Sequence, residues 1–303
     1  MARCGIWVAC LLALAACERA DPLARARADC ANAALAPLAQ VEACGTLITS
    51  GGLESAAHAE ALANTGAALR DFAAALALDD ANAPALEGRA RILIASGQFG
   101  AAEPLVERLI ATNAAGARAH LLQGQIAAGR SDYAAALDAF DTAVGEEPHN
   151  LAALVGRARM EEALSDGNAA MADFSAAIAI DPHSPDARAG RCWLTLNQLN
   201  GGAQHDDTQA REDAEEAVAR APRDFSAQTC WGVLHLRASE WAQAQQSFDA
   251  ALTIQPGDAL ALFGRGVARR RGGDGAGLTD MNQARDFNHH IGERYDQLGV
   301  ATY

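Results

Sequence analysis

Lysine is missing from this chain altogether: its 24 basic residues are all arginine. That excludes a Walker-A lysine, a Schiff-base lysine and the strand lysine of protein kinases. Positive charge is scarce overall, with a formal net charge of −14, which argues against nucleic acid, since that partner needs a basic surface. An acidic surface allows basic partners without requiring them. Aromatics make up only 5% of the 303 residues, so a core must be built mainly from small aliphatic side chains. There is no GxSxG, no HExxH and no paired-cysteine metal spacing, and Gly275-Ala276-Gly277 follows no strand and is no dinucleotide loop. His205-Asp206-Asp207 and His289-His290 offer metal-like atoms without a metal-like spacing and read as solvated ends. No catalytic residue, metal or cofactor is therefore expected. What the chain has in abundance is alanine, which carries most of a 50% hydrophobic share and favours packed helices over strands.

One stretch keeps returning. Ser131 to Pro148 reads SDYAAALDAFDTAVGEEP, Ser165 to Pro182 reads SDGNAAMADFSAAIAIDP, and Ser239 to Pro256 reads SEWAQAQQSFDAALTIQP. Aligned on their prolines, they place Phe140, Phe174 and Phe248 in one column. Ala143, Ala177 and Ala251 fall in a second, and Ala136, Ala170 and Ala244 in a third. Pro148 and Pro182 lie 34 residues apart, a period that signals a solenoid. The register extends back through Phe99 and Phe72; His205 to Pro222 also fits but has Ala214 where phenylalanine is expected. Upstream of each copy runs another helix, often with a small residue at its eighth position: Gly124, Ala158, Cys192, Gly232 and Gly266. Each unit is therefore two antiparallel helices, and stacking is what buries their apolar faces.

The first residues read differently. Met1 to Ala16 has a positive start at Arg3 and an apolar run too short to span a bilayer, as in a secretory signal. Leu14-Ala15-Ala16-Cys17 resembles the lipobox of bacterial lipoproteins, which implies cleavage before Cys17 and lipid attachment to its sulfur. Each buried methylene contributes roughly 0.8 kcal/mol, so several acyl chains anchor a protein without a transmembrane helix. Glu18, rather than Asp, in the next position leans towards the outer membrane, with the protein facing the periplasm. An ordinary secretory signal, with Cys17 incidental, is the alternative. Export would leave Cys30, Cys44, Cys192 and Cys230 where disulfides can form. Cys30 and Cys44 would sit about 21 Å apart on one unbroken helix, but Pro37 between them can fold the segment back and let them pair. Cys192 and Cys230 fall at small-residue positions inside helices and are expected to be core thiols.

The repeat resembles the tetratricopeptide repeat, carried in its clearest unit by Leu122, Gly124, Tyr133, Ala136, Phe140, Ala143 and Pro148. The resemblance implies an all-α fold, an α-solenoid in which helix-turn-helix repeats form a right-handed superhelix. The expected layout is a signal peptide (1–16), a lipidated N-terminus and tether (17–29) and a divergent helical cap (30–82). The array follows at 83–292, with repeats at 83–116, 117–150, 151–184, 185–224, 225–258 and a weaker one at 259–292, then a capping helix at 293–303. The 185–224 repeat is six residues too long, and the surplus falls in the polar, Gly-rich stretch 200–207.

In this family the first helices line a concave groove that takes extended segments or helices of protein partners. The groove positions fall on Arg118, Leu121 and Gln125, then Val155, Arg159 and Glu162, then Trp193, Leu196 and Asn197, with Arg237, Arg270 and Arg271 beyond. Trp193 reads as a binding anchor or as packing between repeats, and Arg159 with Glu162 as groove charges or a solvated intrahelical pair. Arg269-Arg270-Arg271 before Gly272 reads as a helix end complementing its dipole rather than an anion site. The family's dicarboxylate clamp needs lysines, and Glu87 and Arg91 stand at two of its positions. These readings lead to a non-enzymatic, lipid-anchored periplasmic scaffold for a protein or peptide partner, held to the membrane through Cys17. The alternatives are an unlipidated secreted or cytoplasmic adaptor, and an enzyme using the 200–207 loop.

Overall fold

The computed structural model describes residues 55–113, 115–198 and 207–300, with backbone alone for 55–65 and 67. Among the described residues there are fourteen helices and no strand. Two compact units are present, one ending at Ala95 and one beginning at Ser96, a division that falls inside the repeat expected at 83–116.

In the first unit, α1 (Ser55–Leu78) is one unbroken helix of 24 residues, followed by α2 (Ala83–Ala95). Their contact is fixed by Phe72, whose buried ring lies against Gly88. A Cβ on Gly88 would stand 2.3 Å from that ring, so only glycine lets the helices approach this closely.

The second unit opens with α3 (Phe99–Ala111) and continues as helix pairs. These are α4 (Ala117–Gly129) with α5 (Tyr133–Glu146), α6 (Leu151–Ala163) with α7 (Gly167–Ile180), and α8 (Pro185–Gln198) with α9 (Thr208–Arg220). Then come α10 (Phe225–Arg237) with α11 (Trp241–Ile254), α12 (Ala259–Arg271) with α13 (Gly277–Phe287), and a last short helix, α14 (Ile291–Gln297). Within a pair the two helices pack together; each second helix also packs on the next first helix, and successive first helices from α4 to α12 touch. This is the stacking of an α-solenoid. Helix α3 runs through Pro104, its sixth residue, at the loss of one backbone hydrogen bond. The surplus of the 185–224 repeat lies between the end of α8 at Gln198 and the start of α9 at Thr208, and residues 199–206 are outside the described residues.

Local chemistry sets the helix ends. Ser131, Ser165 and Ser239 hold φ of 62°, 70° and 62°, the left-handed region that ends a helix, and Gly273 does the same at 90°. Behind these serines, the N–H of Asp132 reaches back to the Ala127 carbonyl and that of Asp166 to Glu161. The same two aspartates then cap the second helices, their carboxylates accepting from Ala135 N–H and Ala169 N–H. Asn150, Asp224 and Asp258 cap α6, α10 and α12 in the same way.

The phenylalanine column is the wedge between pairs. Phe140 is held between Gly124 of its own pair and Gly156 of the next, and a Cβ on either would stand 2.7 Å from the ring. Phe248 sits likewise between Gly232 and Gly264, and Phe174 lies against Gly190. In the pair that carries Ala214 instead of phenylalanine, the two flanking positions are Cys192 and Cys230. They are joined as a disulfide, with 6.5 Å between their Cα atoms. This corrects the expectation of two core thiols: the bonded sulfurs take the place of the absent ring, and all three residues are fully buried in one core cluster. Cys17, Cys30 and Cys44 lie outside the described residues, as do the signal, the tether and most of the cap.

A second periodic feature ties the pairs together. Arg157 donates from Nε to Asp173 of its own pair (2.6 Å) and from Nη1 to Asp141 of the preceding one (2.8 Å). Arg265 does the same with Asp280 (2.8 Å) and Asp249 (3.1 Å). Arg191, 34 residues after Arg157, binds Asp213 (2.7 Å) and reaches Ser175 (3.3 Å). Asp173, Asp213 and Asp280 are buried, and only the planar fork of arginine can satisfy both carboxylate oxygens at once.

Candidate functional site

The exposed sides of α4, α6, α8, α10 and α12 form a groove, because each second helix is used to fill the space between pairs. One stretch of it encloses about 380 Å³ and is lined by Gln125, Ala152, Val155, Gly156, Arg159 and Asp186 among others. A second, of about 350 Å³, is lined by Arg159, Glu162, Trp193, Asn197, Phe225 and Arg294 among others. Arg159 borders both, so they are neighbouring parts of one surface.

Of the nine groove positions expected on α4, α6 and α8, six line these two stretches: Gln125, Val155, Arg159, Glu162, Trp193 and Asn197. Arg118 is exposed on α4 and borders neither. Leu121 and Leu196, at the other groove positions, are buried in the core. Arg159 donates to Asp186 of the next pair at 2.6 Å. With half of each side chain exposed, that pair is screened by solvent and open to exchange with an incoming charge. Glu162 instead accepts from Asn197 at 3.0 Å. Burial raises its pKa, opposed by the Asn197 hydrogen bond and by Arg159 and Arg294. Trp193 is half-buried against the core and its indole N–H donates to the Ser226 carbonyl at 2.9 Å. It thus serves packing, leaving one edge on the groove.

The far end of the groove joins Arg237, an expected groove position, to two residues that the sequence did not single out, Arg294 and Tyr295. Arg294 of α14 donates to the Asn197 side chain, Tyr295 donates its hydroxyl to the Leu260 carbonyl (2.7 Å), and Arg237 donates to the Leu298 carbonyl (2.9 Å). No signal marked Arg294 or Tyr295, because the repeat columns fade after Arg285. Asp186 was similarly silent, being one more acidic residue in a helix's first turn.

Other candidates resolve as structure. Arg269 binds Asp280 at 2.8 Å, and all three arginines lie in the last turn of α12, which ends at Arg271 before Gly272 and the left-handed Gly273. Glu87 and Arg91 face each other one turn apart, at 3.9 Å. Among the described residues no group of three or more His, Cys, Asp or Glu could hold a metal ion, and no helix is long and apolar enough to cross a membrane.

Residues 87–148, 121–185 and 231–277 match the family model of the tetratricopeptide repeat. Among curated proteins, none matches the chain in sequence. Similar folds occur among solved structures. The APC/C hetero-tetramer Cut9–Hcn1 has a TM-score of 0.63 at 14% identity, covering 85% of this chain and 48% of that one. A tetratricopeptide repeat protein from Parabacteroides merdae ATCC 43184 has 0.53 at 17% identity, covering 78% and 93%. PilW, a type IV pilus biogenesis factor, has 0.54 at 15% identity, covering 68% and 93%. At these identities the likeness is one of fold.

Proposed function

Because the chain carries tetratricopeptide repeats stacked as an α-solenoid, we propose that it is a non-enzymatic scaffold that holds a protein partner's segment in the groove of its first helices. The observation that carries this reading is the groove stretch of about 380 Å³ between Gln125 and Asp186. Its floor is apolar (Val155, Gly156), and it is edged by amide and charged groups (Gln125, Arg159, Asp186) able to bind a backbone or a polar side chain. We place the protein on the periplasmic face of a bacterial membrane, the outer one by the Glu18 argument, anchored by lipid on Cys17. The lipobox-like Leu14–Cys17 supports the anchor. The Cys192–Cys230 disulfide supports export, since such bonds persist in oxidising compartments.

Two experiments test the two parts. Metabolic labelling with palmitate should mark the wild type and leave the Cys17→Ala variant unlabelled; equal labelling, or none in either, removes the anchor. Affinity capture from envelope extract should lose its partner on Arg159→Ala. Undiminished recovery with both Arg159→Ala and Trp193→Ala overturns the groove assignment.

A further inference from the structure

A helix that merely sealed the end of a solenoid would need to touch only the last pair. Helix α14 and the turn after it do more. Ile291, Tyr295, Leu298 and Val300 are buried, and they join the same core cluster as Phe263 and Val267 of α12. The polar contacts reach three successive first helices: Tyr295 to Leu260 on α12, Arg237 on α10 to the Leu298 carbonyl, and Arg294 to Asn197 on α8. Leu260 and Phe263 stand at the repeat positions of Ala152 and Val155, which line the groove, and Asn197 lines it directly. The tyrosine has a made slot: its ring lies 5.1 Å from that of Phe263, and a Cβ on Gly264 would stand 2.2 Å from its hydroxyl oxygen. The arginine has a made electrostatic seat, since Asn197 also holds the Glu162 carboxylate.

Resting on the reading of the groove as the binding face, we infer that the groove of the last three pairs is a receptor for a short amphipathic helix. That helix carries apolar residues at i, i+4 and i+7, with an aromatic hydroxyl at i+4 and a guanidinium at i+3. Residues 291–300 are its tethered occupant, and a partner helix of the same chemistry enters by displacing them. The physical basis for displacement is length. A helix of seven residues has no stability of its own and is held only by what it packs against. The tether keeps the segment at high local concentration, so a partner helix enters by matching its contacts at a comparable concentration or by adding contacts of its own.

The test uses the full chain and a fluorescein-labelled peptide of residues 288–300, read by anisotropy. The wild type should bind it weakly. Arg294→Ala and Tyr295→Ala, which loosen the resident segment, should bind it about tenfold or more tightly than that, because the competent fraction rises. A peptide with alanine for its tyrosine should not bind. Arg294→Ala removes a surface contact and keeps the fold; circular dichroism checks both variants, and Arg294→Ala alone decides if Tyr295→Ala unfolds. Equal affinity for wild type and variant, no binding by either, or unimpaired binding of the tyrosine-less peptide overturns the inference. The groove reading is judged separately, at Gln125 and Ala152, beyond the reach of α14.

Discussion

If the Cys192–Cys230 bond replaces a missing aromatic wedge, one substitution should change sign with the state of that bond. The disulfide closes a sequence separation of 38 residues, and the chain-entropy model gives it about 4 kcal/mol. Ala214, fully buried beside it, occupies the position that Phe140 and Phe248 fill in other pairs. In the wild type, Ala214→Phe drives a ring into space held by the two sulfurs and should destabilise by about 1–3 kcal/mol. In a Cys192→Gly, Cys230→Gly background the surroundings become those of Phe140, with a glycine on either side. There the same Ala214→Phe should stabilise by roughly 3–5 kcal/mol, the usual worth of a buried phenylalanine over alanine. The two effects should thus differ by about 4 kcal/mol or more. Urea denaturation followed by circular dichroism, without reductant, reads both from the midpoints. The reasoning is refuted if Ala214→Phe shifts stability in the same direction in both backgrounds.

Gly156→Ala should cost about 0–2 kcal/mol, overlap with the trapped Phe140 ring outweighing the gain in helix propensity. Gly145→Ala, with nothing within 4 Å of its added Cβ, should be stabilising, and like-signed midpoint shifts would contradict the wedge. Glu161 has its pKa pushed up to about 7, by burial first and then by Asp173, and one of its oxygens is buried without a partner. The folded state therefore keeps a proton that the unfolded chain releases near 4.5. This contribution is complete below about pH 4.5 and is lost as pH rises through about 7. Glu161→Gln should flatten that part of the stability profile, and an unchanged slope between pH 4.5 and 7 would refute the assignment. Ser165→Gly should add about 0.5–1 kcal/mol by relieving a left-handed residue, visible as a raised thermal midpoint and contradicted by a lowered one.

The fold was legible because solenoid packing is periodic: the ring that separates one pair separates the next, so Phe140, Phe174 and Phe248 announce themselves by spacing. The arginine ladder was equally periodic. Arg157 and Arg191 stand 34 residues apart, but a charged residue on a helix reads equally as surface, as groove or as a partner across pairs. The disulfide has its mark in the sequence too. Cys192 and Cys230 occupy the two positions that flank the ring elsewhere, and Ala214 announced that the ring was gone. The occupied end of the groove was not legible. Arg294 and Asn197 lie 97 residues apart, and the segment that carries Arg294 has left the repeat. Nothing local tells where such a segment docks; that follows from the slot beside Gly264, a property of the assembled stack.

The central claim is that the first helices present the binding face, and the most direct measurement is site-specific photo-cross-linking in the cell envelope. A photoreactive residue at Gln125 or Ala152, in the groove, should form a discrete adduct with a partner protein. The same residue at Thr142, exposed on the second helix of its pair, should not. Adducts at Thr142 with none at the two groove positions would contradict the account.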